Sequence, residues 1–103
     1  MSSNQIFAQS QPLAGVDTVL YTSADYVTAN MWVSNQNGDD QVRVAVVPSG
    51  GSLGNSSYLA YDTPVATHYI FYLQTICFGP GDVVWIRSAN GTSSFTVTGQ
   101  TQP

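Results

Sequence analysis

Neither lysine nor glutamate occurs anywhere in the 103 residues, and charged residues of all kinds make up only 8%, against about 25% in an average soluble protein. The six acids are all aspartates, and the two bases are Arg43 and Arg87. Lys and Glu are strong helix formers that populate solvated helix faces, whereas the Thr, Val, Tyr, Ser, Gly and Asn that replace them suit strands and turns. The composition therefore predicts an all-β chain. Two basic residues and a net charge of -4 cannot neutralise many phosphates, which excludes nucleic acid as a partner. They also offer no basic face to an anionic membrane.

Other absences narrow the chemistry. Cys77 is the single cysteine, so no disulfide forms within the chain, and its neighbours Ile76 and Phe78 predict a buried thiol. One Cys and one His cannot build a zinc site. His68 is the only histidine and falls in an aromatic segment, so it reads as a structural or surface residue rather than a general base. Asp39-Asp40 is too small a set for calcium, which takes six to eight converging oxygens. No Gly-rich phosphate loop precedes a helix. No enzymatic activity and no cofactor are expected. The first residues have neither the positive region nor the apolar run of a signal peptide, and no apolar stretch is long enough to span a bilayer as a helix.

At this length the chain is one domain that buries roughly two-thirds of its unfolded surface. Residues 1–16 read as a first strand or an assembly arm, 17–99 as the main domain, and 100–103 as a polar tail. Residues 4–10 place Ile6 and Phe7 on opposite faces of a strand, so one of the two is expected to dock on another layer or subunit. Asp17–Thr22 forms the next strand. Residues 26–48 then present two alternating runs around Asn37-Gly38-Asp39-Asp40, the pattern of a β-hairpin. Val27, Ala29, Met31 and Val33 share one face of the first run, and Val42, Val44 and Val46 share one face of the second.

The Ser/Gly-rich stretch 49–57 is longer than a common hairpin loop and reads as a crossing between sheets or an exposed loop. Tyr58–Tyr61 is a short strand, with Pro64 marking its end or an edge. Thr67–Leu73 is apolar on both faces, which predicts burial on one side and cover by a subunit, arm or partner on the other. After the turn Gly79-Pro80-Gly81-Asp82, Val83–Ser88 and Ser94–Thr98 read as a second hairpin around Asn90-Gly91. Val84 and Ile86 face inward there with Phe95 and Val97; Trp85 and Arg87 face outward. About eight strands with turns every eight to twelve residues predict a single antiparallel β-sandwich or jelly roll.

Seven residues stand out as interface candidates: Phe7, Trp32, Arg43, Tyr69, Phe71, Trp85 and Arg87. Trp32 and Trp85 lie opposite the valine faces of their strands, where they would stack on sugar rings or anchor a protein contact, unless one packs inside. Each arginine sits mid-strand, placed to pair with an Asp or to remain solvated. Asn55-Ser56-Ser57 and Asn90-Gly91-Thr92 match the glycosylation pattern but read as turns.

The order Trp32-Val33-Ser34-Asn35-Gln36, Val42-Arg43-Val44-Ala45-Val46-Val47-Pro48-Ser49-Gly50-Gly51, Tyr58-Leu59-Ala60-Tyr61-Asp62-Thr63-Pro64-Val65, Gly79-Pro80-Gly81-Asp82-Val83-Val84-Trp85-Ile86-Arg87-Ser88 and Phe95-Thr96-Val97-Thr98-Gly99 resembles the small all-β virion structural proteins of tailed bacteriophages, those of cyanophages in particular. The resemblance covers roughly residues 17–99 and carries no catalytic motif. It implies a non-enzymatic part of a virus particle, made in the host cytoplasm. The expected role is a head decoration (cement) protein that stabilises contacts between major capsid subunits. Major capsid protein or other virion proteins are then the partners, and the expected working form is a homo-oligomer, plausibly a trimer. Two alternatives stand beside it: a tail, baseplate or fibre-associated protein, and a small carbohydrate-binding module using Trp32, Trp85 and nearby tyrosines.

Overall fold

The computed structural model describes residues 5–101 as eight strands and one short 3-10 turn. The strands are β1 (Gln5–Ser10), β2 (Thr18–Thr22), β3 (Val27–Asn35), β4 (Asp40–Val47), β5 (Tyr58–Val65), β6 (Ile70–Phe78), β7 (Val83–Ser88) and β8 (Ser93–Thr101). They form two antiparallel four-stranded sheets, β1-β8-β3-β6 and β2-β7-β4-β5, and the all-β sandwich expected from composition is what the chain adopts. Every connection except β4–β5 passes from one sheet to the other, which is the winding of an eight-stranded jelly roll.

That winding corrects the hairpin reading of residues 26–48. β3 and β4 do not pair: β3 lies between β8 and β6, and β4 between β7 and β5. Their valine faces do not lie side by side in one sheet but oppose each other across the core. Val27, Ala29, Met31, Val33, Val42 and Val44 are all buried, with Val46 packed against them. Period-two alternation is the same in either arrangement, so it cannot distinguish a hairpin from a crossover. Chain length permits the crossing, because five Cα steps from Asn35 to Asp40 reach up to ~17 Å and packed sheets stand ~10 Å apart. Gly38, at φ +76°, supplies the left-handed residue the turn needs. The second expected hairpin fails in the same way, since β7 and β8 belong to different sheets. Conversely, residues 49–57 are no crossing: they join β4 and β5, which are neighbours.

Two buried polar side chains fix the β3–β4 crossover. Asn35 donates from Nδ2 to the carbonyls of Gly38 (2.6 Å) and Val65 (2.8 Å), holding the turn and the end of β5. Asp40, 3% exposed, accepts at Oδ2 from the hydroxyls of Ser88 and Ser93 (2.6 Å for Ser93) and at Oδ1 from the Asn90 N–H at 2.9 Å. It thereby ties the start of β4 to the end of β7 and the start of β8. Burial by itself would raise its pKa, but the donors from Ser88, Ser93 and the Asn90 and Gln41 backbone outweigh it and hold the carboxyl below its ordinary value of 3.8.

Smaller differences have local causes. β1 pairs along β8 from Gln5↔Gly99 to Ser10↔Phe95, so Gln5–Ser10 is an integral strand; Met1–Asn4 of the expected arm lie outside the described residues. β8 runs on to Thr101 because β3 pairs with it as far as Val27↔Thr101, which takes Gln100 and Thr101 out of the expected tail; Gln102 and Pro103 lie outside the described residues. The aromatic segment 67–73 turns at His68 (φ +67°) and enters its strand only at Ile70. In β6 the register shifts between Ala29 and Met31 of β3, with Thr75 at φ +54°. That bulge turns Ile76 and Phe78 inward and Cys77 outward, so the thiol is exposed and the expectation of burial is overturned.

Asp40→Asn should lower stability at pH 7 by about 2–3 kcal/mol, the scale of hydrogen bonds to a charged group, measured by urea unfolding. Because the folded pKa is depressed, the contribution of Asp40 is present above pH 3.8 and is lost as pH falls through the lower folded value; the variant should lack that part of the acid-unfolding limb. Gly99 faces the core, and a Cβ there would press on the Thr28 carbonyl oxygen and within 2.7 Å of Ala29 Cα. Since these are backbone atoms, Gly99→Ala should cost about 3 kcal/mol, the upper range for overpacking, in the same assay.

Candidate functional site

The winding decides which side chains share a surface. Residues opposite one another in a register point to the same face, so the two outer faces can be assembled row by row.

On the β1-β8-β3-β6 sheet one row runs Gln9, Thr96, Trp32, Tyr72, and its neighbours are Ile6, Thr98, Asn30 and Ser94, Ser34, Ile70. Trp32 stacks on Tyr72 with ring centroids 3.9 Å apart and planes tilted by 32°. It remains 42% exposed, and Ile70 on β6 and Ile6 on the opposite edge strand β1 are exposed on the same face at 65% and 61%. None of these residues is charged. The face is built from hydroxyls, amides and apolar groups, with the Cys77 thiol exposed opposite Thr28.

The outer face of the β2-β7-β4-β5 sheet is different. One row there is Val19, Trp85, Ala45, Tyr58; the next sets Arg43 directly across from Arg87. Like charges opposite one another are unfavourable, and a bulge in β5 supplies the compensation. Val42 pairs with Thr63 and Val44 with Ala60, so Tyr61 and Asp62 together oppose Arg43; Asp62 adopts φ +50° to do so. Arg43 donates from Nε to Asp62 Oδ1 at 2.6 Å and from a terminal nitrogen to Oδ2 at 3.2 Å. Its guanidinium carbon lies 4.0 Å from the Tyr61 ring centre, and Tyr61 meets Tyr58 edge to face at 4.8 Å. The hydrogen bond from Arg43 draws the Asp62 carboxyl below its ordinary range against the effect of burial, and the charges of Arg43 and Arg87 add to it. The Arg43 pKa is raised, chiefly by that same hydrogen bond. Asn55, Tyr58 and Tyr61 line a shallow depression of about 400 Å³ beside the pair.

The seven interface candidates are thus dispersed. Phe7 packs on the core and against Tyr21, with ring centres 5.3 Å apart, and Phe71 also faces the core; both contribute to the sandwich rather than to its surface. Trp32 is exposed on the outer face of one sheet and Tyr69 just before its edge strand β6. Arg43, Trp85 and Arg87 lie on the outer face of the other, where Arg43 is paired and Trp85 is half-buried. The two tryptophans consequently lie on opposite sides of the molecule and cannot stack on one sugar. Arg43 and Trp32, which the hairpin reading put on one face, are likewise separated.

Residues missed in the sequence are Tyr72, Tyr61 and Asp62. Tyr72 was legible in principle, two positions from Ile70 on the same face. Asp62 was not, because its placement depends on the bulge; Pro64, two residues on, was the one hint of an irregular edge. His68 is exposed in a turn, and the carboxylates of the Asp39-Asp40 pair are bonded separately, Asp39 to Thr67 and Asp40 inward. Among the described residues no three of His, Cys, Asp and Glu gather as a metal site, and no helix is long and apolar enough to cross a membrane.

No protein-family model and no characterised protein sequence matches the chain. Among solved structures, a chain in the structure of the infectious bursal disease virus Gx strain is similar, with a TM-score of 0.53 and 12% identity over 95% of this chain and 32% of that one. The likeness is one of fold. This chain spans about a third of the length of that viral chain.

Arg43→Ala should return the Asp62 titration upward toward the ordinary carboxylate range, followed by carboxyl carbon NMR. Global stability should change little, since exposed pairs contribute little.

Proposed function

We propose that this protein is a non-enzymatic structural component of a virus particle, and specifically a decoration protein that seats on major capsid subunits in the head of a tailed bacteriophage. The observation that carries the reading is the outer face of the β1-β8-β3-β6 sheet. Among the described residues it is uncharged, and it presents Trp32 stacked on Tyr72 together with exposed Ile6 and Ile70. A surface of this kind binds through shape, apolar contact and hydrogen bonds, with aromatic anchors at its centre. The jelly-roll winding, shared with a chain of a virus structure, and the strand-and-turn order that resembles phage virion proteins both support it.

In this role Trp32 and Tyr72 are the anchors, and the Thr, Ser, Asn and Gln side chains around them supply the hydrogen bonds. Arg43, Asp62, Tyr58 and Tyr61 belong to the opposite side of the sandwich and face away from the capsid. Since no charged group lies on the seated face among the described residues, adhesion should not depend on salt.

Electron microscopy of intact particles should locate the protein on the head, at a copy number comparable with that of the major capsid subunit; a few copies at the tail would place it there instead. Particles washed in ~1 M salt, where the Debye length falls to ~3 Å, should retain the wild-type protein, and Trp32→Ala should be shed. Complete loss of the wild type in salt would refute contact through this face.

A further inference from the structure

Four strands border the two sheets, and three of them are protected against pairing with another chain. β1 and β2 are short and bulged and close on one another through Phe7 and Tyr21. β5 carries Asp62, Pro64 and two register shifts. Charge, proline and bulges are the usual means of blunting a sheet edge. β6 has less of this protection. Its nine residues include no charge and no proline, and its bulge lies in the second half, beside Thr75. The first half, Ile70-Phe71-Tyr72-Leu73, is regular and pairs with β3 on one side; among the described residues no backbone hydrogen bond reaches its other side.

We propose that two copies of the chain join here, β6 against β6, antiparallel about a two-fold axis, so that two four-stranded sheets become one continuous sheet. A second copy fits this edge better than a different partner would need to. An antiparallel strand paired with itself is self-complementary, the requirement of an isologous contact. The chain carries a net charge of -4, yet none of its charged residues lies on β6 or on the outer face of its sheet, so two copies approach there without setting acid against acid.

The face rule restricts the register. Residues opposite one another must share a face, so a register centred on Phe71 sets Ile70 against Tyr72 of the partner subunit. That covers Ile70 and Tyr69, 65% and 68% exposed in the single chain, and completes the burial of Phe71. The proposal rests on the strand edge and not on the viral reading, and either can fail without the other.

Light scattering over a concentration series should give a mass of twice the 11.0 kDa chain. Ile70→Lys places a charge on each side of the junction and should return the mass to that of one chain, with an unchanged circular dichroism spectrum because Ile70 lies outside the core. Leu59→Lys, at an equally apolar exposed position on β5, should leave the dimer intact. In the wild type alone, amide exchange across Tyr69–Leu73 should slow as concentration rises. A monomeric wild type at its highest soluble concentration, an oligomer that survives Ile70→Lys, or loss of the dimer in Leu59→Lys would each overturn the proposal.

Discussion

The carboxylate of Asp40 joins the start of β4 to two strand ends that lie 48 and 53 residues further along the chain. Its oxygens receive the hydroxyls of Ser88 and Ser93 and the N–H of Asn90, so the beginning of β4, the end of β7 and the beginning of β8 meet at one buried acid. A buried carboxylate without donors would be costly; here Ser88, Ser93 and the backbone of Asn90 and Gln41 all donate to it, and the arrangement is stable only if the chain crosses between the sheets where it does. Asn35 performs the same task on the other side of the crossover, bonding the Gly38 and Val65 carbonyls. The jelly-roll winding and this polar cluster therefore depend on each other.

The winding in turn divides the surface. Because consecutive strands alternate between sheets, side chains close in sequence are carried to opposite sides of the molecule. Trp32 and Arg43 are eleven positions apart in a short segment, yet one anchors an uncharged face and the other forms the centre of a charged and aromatic cluster. Several of the few charges this chain possesses compensate one another or hold turns. Asp62 relieves the facing pair Arg43 and Arg87, Asp82 receives the backbone N–H groups of Ser49 and Gly79, and Asp39 receives that of Thr67. The charge-free face of the other sheet is the complement of that economy. It suits a contact made by shape and hydrogen bonding, and its uncharged edge at β6 suits pairing with another copy.

Composition and alternation by themselves determined a great deal. The lack of Lys and Glu pointed to strands, and the inward positions Val27, Ala29, Met31, Val33, Val42, Val44, Val84, Ile86, Phe95 and Val97 are buried as their spacing requires. Side-chain alternation is a local property of an extended chain, so it survives whatever partner the strand finds. The outward placement of Trp32 and Trp85 follows from the same rule. The location of Cys77 does not, because a bulge resets the alternation, and bulges arise from pairing rather than from any residue of the strand alone.

Tertiary structure alone decided which strands became neighbours. Asn37-Gly38 and Asn90-Gly91 both look like hairpin turns, and both instead carry the chain between sheets. A turn residue specifies a local backbone angle but not the partner of the strand that follows it. That choice was made by contacts distant in sequence: Asp40 with Ser88 and Ser93, β1 with β8, Arg43 with Asp62. For the same reason the segment 26–48, legible as two strands with one apolar face each, could not reveal that its two outward faces belong to opposite sides of the protein.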